Sequence, residues 1–406
     1  MKRLYQLYFE GFIGIQRNIW VLAISMFVNR SGAMVLLFIS LYITNDLHFG
    51  IEDAGMALSI YGIGSVFGSF AGGWLTDRFH FFQVMIGSLV VSGLLILLLL
   101  FTSKLWLVYA IVFGYAFTAD IFRPANSAAI GIFSDADNRT RSVSLVRLAI
   151  NLGFSVGPAI GGFIAFHAGY SWLFIVDTIT SLGAAAMLYF YLPHDVAAHP
   201  KTRKSMPSSG SQISAYQDTT YLLFIFLVAA YGVCFFQIFA SIPQYLSKVG
   251  KHNEDVIGLL MAFNGLIVVL IEMPLITQLQ KQNRPFFYII AGAVCVPLSF
   301  VFLLLGGQYI LLATAYILVI SFSEILAMPF MMNFSISRAG SSSLGQYTAL
   351  YAMAWGISNI LAPVAGLQVA ARIGFDGMFL FIIFLSVIVV VGFWFLSKKL
   401  LRSSSF

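Results

Sequence analysis

Seven ionisable side chains stand in stretches otherwise dominated by apolar residues: Arg30, Asp120, Arg123, Arg147, Asp177, Glu272 and Glu324. A carboxyl group in a partly dry cavity is driven toward its acid form by desolvation and back by a nearby arginine. Solvent access or a bound solute shifts that balance, so such a site takes up and releases protons. Asp120 and Arg123 stand three residues apart, a spacing at which they also pair with each other on one helix. Arg30 has Asn29 beside it, Arg147 is placed to brace Asp120 or the adjoining loop, and Glu272 is followed by Met273 and Pro274. The sequence shows no nucleophile–base set, no metal-spaced His/Cys cluster and no Gly-x-x-x-x-Gly-Lys-Ser/Thr loop for ATP. We therefore expect no enzyme, no metal and no cofactor. Cys234 and Cys295 both fall in apolar segments and read as small buried hydrophobes.

The elements that carry these charges follow from composition. The 406 residues are 60% hydrophobic and 9% charged, with a mean hydropathy of +0.91. A soluble domain carries about 25% charged residues, so most of this surface must face lipid. Only helix bundles and closed barrels satisfy every backbone group there. A barrel needs alternating segments of about 10 residues. Runs such as Phe82–Phe101 and Phe375–Leu396 are instead apolar over most of their length and match the ~20 residues of a membrane-crossing helix.

Twelve spans are predicted, at 18–44, 53–76, 82–102, 105–133, 142–167, 170–192, 219–246, 254–280, 285–305, 308–335, 345–371 and 375–397. The first apolar run is long enough to remain as a helix and is not read as a cleaved leader. The polar connection 193–218, with Pro193, Pro200, Pro207, Gly210 and several serines, has linker composition. It divides the chain into an N-terminal six-helix bundle (1–192), a cytoplasmic linker (193–218) and a C-terminal six-helix bundle (219–406). With both termini inside, the loop residues Lys2, Arg3, Arg17, Arg78, Arg139, Arg141, Lys201, Arg203, Lys204, Lys281, Arg284, Arg338, Lys398, Lys399 and Arg402 are cytoplasmic. Lys104, Lys248, Lys251 and Arg372 fall outside, and this asymmetry sets the orientation. The formal charge of +6 therefore belongs to loops on one membrane face and gives no reason to expect nucleic acid.

The two halves echo each other. Gly153-x-x-x-Gly157-Pro158-x-x-Gly161-Gly162 aligns with Ser358-x-x-x-Ala362-Pro363-x-x-Gly366 at an offset of 205 residues, and Pro124 aligns with Pro329 at the same offset. Glycines four apart form a groove that admits another helix backbone. Gly64, Gly68 and Gly72 make a second such ridge. Glu324 lies one residue from the repeat-equivalent of Asp120, so the halves can offer matching carboxylates.

These strings resemble the major facilitator superfamily along the whole chain. The Gly153–Gly162 string is similar to the span 5 signature of its antiporters. Gly73-Trp74-Leu75-Thr76-Asp77-Arg78 resembles the family's cytoplasmic loop motif, although His80 and Phe81 replace its usual glycine and arginine. The resemblance implies that Asp77 caps a helix N-terminus in the other half, that of span 11, and that Arg78 pairs with Asp135 or Asp137. Asp120-x-x-Arg123-Pro124-Ala125 resembles the span 4 motif linked to proton coupling in drug–proton antiporters. Spans 1, 4, 7 and 10 line the cavity in the family, which favours Arg30, Asp120, Arg123 and Glu324 over Asp177. Asn126, Gln237 and Asn333 are further polar candidates. Tyr231, Phe235, Phe236, Met328 and Trp355 are candidates for an adaptable pocket wall.

The fold class expected is thus an all-α membrane protein of twelve transmembrane helices in two pseudo-symmetric six-helix bundles. The function expected is secondary transport of a small organic or amphipathic solute, coupled to protons and resembling multidrug efflux, by a monomer in a bacterial inner membrane. Proton-coupled uptake of an organic anion, a peptide or another metabolite is the alternative within transport. Peptide transporters carry Glu-x-x-Glu-Arg in span 1, and Met26–Arg30 keeps the arginine without either glutamate. A non-transporting membrane sensor is the reading from another class.

Overall fold

The computed structural model describes residues 14–135, 139–193, 214–279, 282, 284–338 and 344–403. Among these the backbone is helical and contains no strand. Ten helices precede the last long run: α1 (Arg17–Asp46), α2 (Ile51–Arg78), α3 (Phe81–Phe101), α4 (Leu105–Phe133), α5 (Arg139–Ala168), α6 (Ser171–Tyr191), α7 (Thr219–Lys248), α8 (Glu254–Leu279), α9 (Pro285–Gly306) and α10 (Ile310–Arg338). The final apolar run, Gln346–Leu400, covers 55 residues. A straight helix of that length would reach about 80 Å, far beyond a hydrocarbon core of about 30 Å. The chain bends at Gly374 (φ 79°, ψ 171°), a left-handed position that glycine adopts without steric cost. Dividing the run there gives α11 (344–373) and α12 (375–403), and hence twelve long helices among the described residues.

Local chemistry explains several ends. Asp218 caps α7 by accepting from the Tyr221 N–H at 3.0 Å. Pro285 occupies the first turn of α9, where its missing N–H costs nothing. Both α2 and α8 open on an acidic pair, Glu52–Asp53 and Glu254–Asp255, which the positive end of the helix dipole favours. Three helices are irregular. α1 breaks at Ala33–Met34 and ends on a π-helical turn, Tyr42–Asp46, and α11 contains another such turn at Val364–Gln368, directly after Pro363. In α7 the helix breaks at Phe236 and again at Ser241.

The chain forms two compact units. The first comprises residues 1–38, 63–199 and 254–265, and the second comprises 39–62, 200–253 and 266–406. In the first, Ile19, Leu22 and Met26 of α1 share a core with Phe81 and Met85 of α3, Phe122 and Ala129 of α4, Leu145 of α5 and Leu188 of α6. In the second, aromatic edges fill the interior. Phe224 packs against Phe393, and Phe300 against both Tyr316 and Phe379. Large apolar side chains also cover the surface: Phe190 and Leu311 are each 76% exposed. Such a surface is compatible with lipid and not with water.

Glycine lets helices close on one another in both units. In the first, a Cβ on Gly64, Gly68 or Gly72 of α2 would run into the backbone of α4 at Phe113, Phe117 or Ile121. Gly258 and Gly265 of α8, seven residues apart, meet α5 at Pro158 and Ser155. In the second, Gly55 and Gly62 of α2, also seven apart, meet α11 at Pro363 and Asn359.

Candidate functional site

The glycine string of α5 does more than pack: it seats a charge. A Cβ on Gly153 would lie 2.6 Å from the Arg30 Cβ and 3.1 Å from the Phe27 carbonyl oxygen. One on Gly157 would lie 3.1 Å from the Ser31 carbonyl oxygen and 3.2 Å from that of Arg30. Gly161 faces the side chains of Met34 and Phe38. Gly153 and Gly157 thus hold α1 close to the α5 backbone at Arg30, and Gly161 makes room for the side chains beyond it. The Arg30 guanidinium lies 5.6 Å from the centre of the Phe154 ring, within cation–π range. On the neighbouring face, Gly162 meets the Glu254 backbone and Pro158 meets Gly258, so the string closes on α8 as well. The Tyr170 hydroxyl donates to Glu254 beside that crossing.

Asn29, next to Arg30, donates from Nδ2 to Ser181 Oγ at 3.2 Å. Ser181 donates in turn to Asp177 Oδ1 at 3.2 Å, and Tyr115 of α4 donates to Asp177 Oδ2 at 2.9 Å. Asp177 is fully buried. The sequence offered it only as one charge among seven, near one end of a span. Its partners lie 4, 62 and, through Ser181, 148 residues away, so no local pattern announces the network.

Asp120 and Arg123 pair with each other on α4, Arg123 Nε to Asp120 Oδ1 at 2.6 Å, with Asp120 buried and the arginine side chain 62% exposed. Ser65 of α2 also donates to Asp120. The carboxylate therefore holds partners on two helices that the Gly64–Gly68–Gly72 ridge brings together. Asn126, two turns along, is buried with its Oδ1 without a hydrogen-bond partner. Arg147 is exposed on α5.

In the second unit, Glu324 is half-buried on α10 next to Ser323, whose hydroxyl is 2.8 Å from that of Tyr231. The aromatic residues picked out from the sequence gather here. Trp355 of α11 meets Tyr231 and Phe236 edge-on at 6.2 and 5.6 Å between ring centres, and Phe235 stacks on Tyr231. Tyr351 joins through Trp355. Gln237, just past the break in α7, is fully buried and donates to the Ala362 carbonyl at 2.9 Å. Glu272 is half-buried on α8, and Asn333 is exposed.

In the loop motif, a Cβ on Gly73 would meet open space, and Arg78 lies over the Trp74 ring at 5.1 Å. The Asp77 side chain and all of Asp137 lie outside the described residues. Asp135 accepts from Gln16 at 2.9 Å. At the start of α7, Asp218 receives Arg338 through Nε at 2.6 Å and Nη2 at 3.0 Å, and Tyr347 at 3.0 Å. Burial pushes the Asp218 carboxyl upward, but these donors and the Tyr221 N–H outweigh it and hold the group below the ordinary carboxylate value.

Comparisons with known proteins give the family. The family model described as Major Facilitator Superfamily matches residues 21–363. A Na(+), Li(+), K(+)/H(+) antiporter of Planococcus maritimus is 26% identical over 91% of this chain and 92% of its own. Multidrug resistance protein 2 of Bacillus subtilis (strain 168) is 22% identical over 87% of this chain and 89% of its own. Among solved structures, a peptide transporter POT in complex with sulfate superposes with a TM-score of 0.76 at 13% identity, covering 97% of this chain and 96% of that one. That likeness shows a shared fold. The chain is a multi-pass integral membrane protein and belongs to the major facilitator superfamily.

Proposed function

We propose that this transporter exports small amphipathic or organic solutes in exchange for protons, by alternating access. The observation that carries the proposal is the seating of Arg30 against Gly153 and Gly157. A charge in a membrane interior is costly and marks a pathway or a coupling residue. Here it sits on a close crossing of α1 and α5, so the charge travels with that helix pair when their half moves. Glu324, together with Asp120, takes up the proton. Arg30, Asn29, Arg123 and Arg147 set the potential felt by solute and proton, and Glu272 braces α8. The aromatic group around Trp355 supplies an adaptable face for an amphipathic solute.

In this reading the six-helix halves, 1–192 and 219–406, rock about the site with the 193–218 segment joining them. Gly73, Asp77 and Arg78 gate the cytoplasmic side. Gly161, Gly162, Pro158 and Pro363 permit close approach of the moving helices. Protonation favours one state and solute the other, each only by its differential affinity for the two. The protein acts as a monomer in a bacterial inner membrane with both termini cytoplasmic. A second reading is exchange of alkali cations for protons, supported by the Planococcus relative that spans nearly the whole chain. The peptide-transporter likeness supports the fold alone.

The test uses purified protein in liposomes with a pH dye trapped inside. Lipophilic cations, neutral amphiphiles, organic anions, short peptides and Na+, Li+ or K+ salts are added in turn under an imposed proton gradient. The proposal expects one organic class to drive proton movement that is lost in Glu324→Gln. A response to the salts alone supports the second reading. Silence from every class, with solute uptake still seen by radiolabel, contradicts both and makes the protein a uniporter.

A further inference from the structure

We propose that Asp177 is a second proton-binding residue, housed in the first unit and linked through Ser181 and Asn29 to Arg30. The inference rests on the proton-coupled reading above and adds a site to it.

Three observations carry it. First, Asp177 is fully buried, and every side-chain donor seen on its carboxylate is a hydroxyl: Tyr115 at 2.9 Å and Ser181 at 3.2 Å. A carboxylate held by backbone N–H groups or a bidentate arginine is locked in its ionised form, as at Asp218. Hydroxyls rotate and act as donor or acceptor. When Asp177 gains a proton on Oδ1, the new O–H donates to Ser181 Oγ. The Ser181 hydrogen then turns to its own helix carbonyl at Asp177, four residues back, a bond that serine makes readily. Tyr115 keeps its bond to Oδ2. Both protonation states are thus fully hydrogen-bonded, and no group is orphaned by the change.

Second, the network reaches the neighbour of Arg30. Ser181 Oγ accepts from Asn29, which is half-buried and adjoins Arg30. Of the other polar groups on this stretch of α6, Thr178 donates to the carbonyls of Gly93 and Phe174 at 2.8 Å each, and Thr180 to those of Val176 at 2.9 Å and Asp177 at 3.0 Å, where it leaves the second lone pair for Ser181.

Third, the charges around Asp177 are few. The guanidinium that acts on it electrostatically is that of Arg30. Among the other helices packed on α6, α3 contributes no ionisable side chain from Phe81 to Phe101, and α5 contributes Arg141, Arg147 and His167, all exposed, besides Arg139 at its first position. On α4, Tyr115 is the ionisable group that touches it, while Asp120 is paired with Arg123. Ionised Asp177 therefore balances Arg30, and protonated Asp177 leaves that positive charge uncompensated. Gly32, two residues past Arg30, sits against Thr180 of α6. This holds α1 and α6 close, so the change in charge is felt at the crossing where α1 meets α5.

The test is an infrared difference titration of the full-length protein in lipid nanodiscs, in H2O and D2O, which reports protonated carboxyl groups without any solute. The wild type is expected to show an isotope-sensitive acid band that Asp177→Asn removes. In Tyr115→Phe the acid form persists to higher pH, by about one unit, because the ionised form loses a donor. If Asp177→Asn misfolds, the Tyr115→Phe displacement still decides. An acid band unchanged in both variants overturns the proposal. Solute-driven proton flux in liposomes keeps the two readings apart. If Asp177 titrates but no solute moves protons in the wild type, the exchange reading fails and the site stands. Flux with an unaltered pH profile in Asp177→Asn leaves the exchange reading standing and removes the site from it.

Discussion

The crossing of α5 on α1 and the crossing of α11 on α7 occupy equivalent places in the two halves, yet they are furnished differently. Gly153, Gly157 and Gly161 lie against Arg30, Ser31 and Met34. Their counterparts at the same offset, Ser358, Ala362 and Gly366, lie against Ala229, Gln237 and Ser241. The first crossing is bare backbone around a charge. The second is pinned by hydrogen bonds: Ser358 Oγ to the Ala229 carbonyl at 2.8 Å and Gln237 Nε2 to the Ala362 carbonyl at 2.9 Å. Rings surround it; its α7 helix is broken, as α1 is at Ala33–Met34 beside the first crossing. One packing solution, inherited by both halves, has been given to electrostatics in one and to an aromatic face in the other. The lesson is that internal repeats fix where helices touch, while the residues at the contact decide what it does.

This contrast is open to attack. The largest effect is expected at the bare crossing. Gly157→Val introduces side-chain atoms where only backbone fits, and overpacking of this kind costs about 1–3 kcal/mol or more. Transport should vanish and the melting temperature fall, whereas Ser358→Ala removes one hydroxyl and should cost only about 1 kcal/mol. Equal losses in thermal melts of the two variants would erase the distinction. Next in size is the charge on α10: Glu324→Gln should lower solute-driven proton flux by about tenfold or more, as expected for removal of an ionisable coupling group. Direct solute binding, measured by fluorescence, should remain.

A smaller, pH-dependent effect is expected at the start of α7. Asp218 is held below its ordinary carboxylate value, so its pairing with Arg338 and Tyr347 stabilises the fold above the unfolded value of about 4. That contribution is lost as pH falls through the lowered folded value. Asp218→Asn should therefore melt earlier than the wild type at pH 7, and the gap should close in strong acid. A gap that persists or widens there would show that the pairing is not the source. The smallest effect is expected at the aromatic face. Phe236→Ala should weaken binding of an aromatic solute by a few-fold, about 1 kcal/mol, with proton coupling intact.

Much of the scaffold was legible because each span is a long apolar run with polar ends, and Leu105–Phe133 begins and ends where the hydropathy does. The Asp120–Arg123 pair was legible because three residues is a local distance. The division of the last run was legible as two runs, although the Gly374 backbone that makes it was not singled out. The glycine string announced a close crossing but not its partner, since Arg30 lies 123 residues away from Gly153. The matched Gly55–Gly62 and Gly258–Gly265 contacts were missed, because glycines seven apart are common in apolar helices and carry no local signature. Asp177 was underestimated for the same physical reason: burial and hydroxyl partners come from tertiary packing. The Tyr170–Glu254 bond also joins residues far apart in sequence.

The central claim is that Arg30, held at the bare crossing, is the charge through which solute and proton communicate. The direct measurement is solute-driven proton movement into dye-loaded liposomes for the wild type, Arg30→Lys and Arg30→Gln, at matched protein incorporation. The account predicts that Arg30→Lys keeps part of the flux and Arg30→Gln abolishes it while the protein stays folded. Wild-type flux in Arg30→Gln would contradict it and reduce the crossing of α5 on α1 to packing.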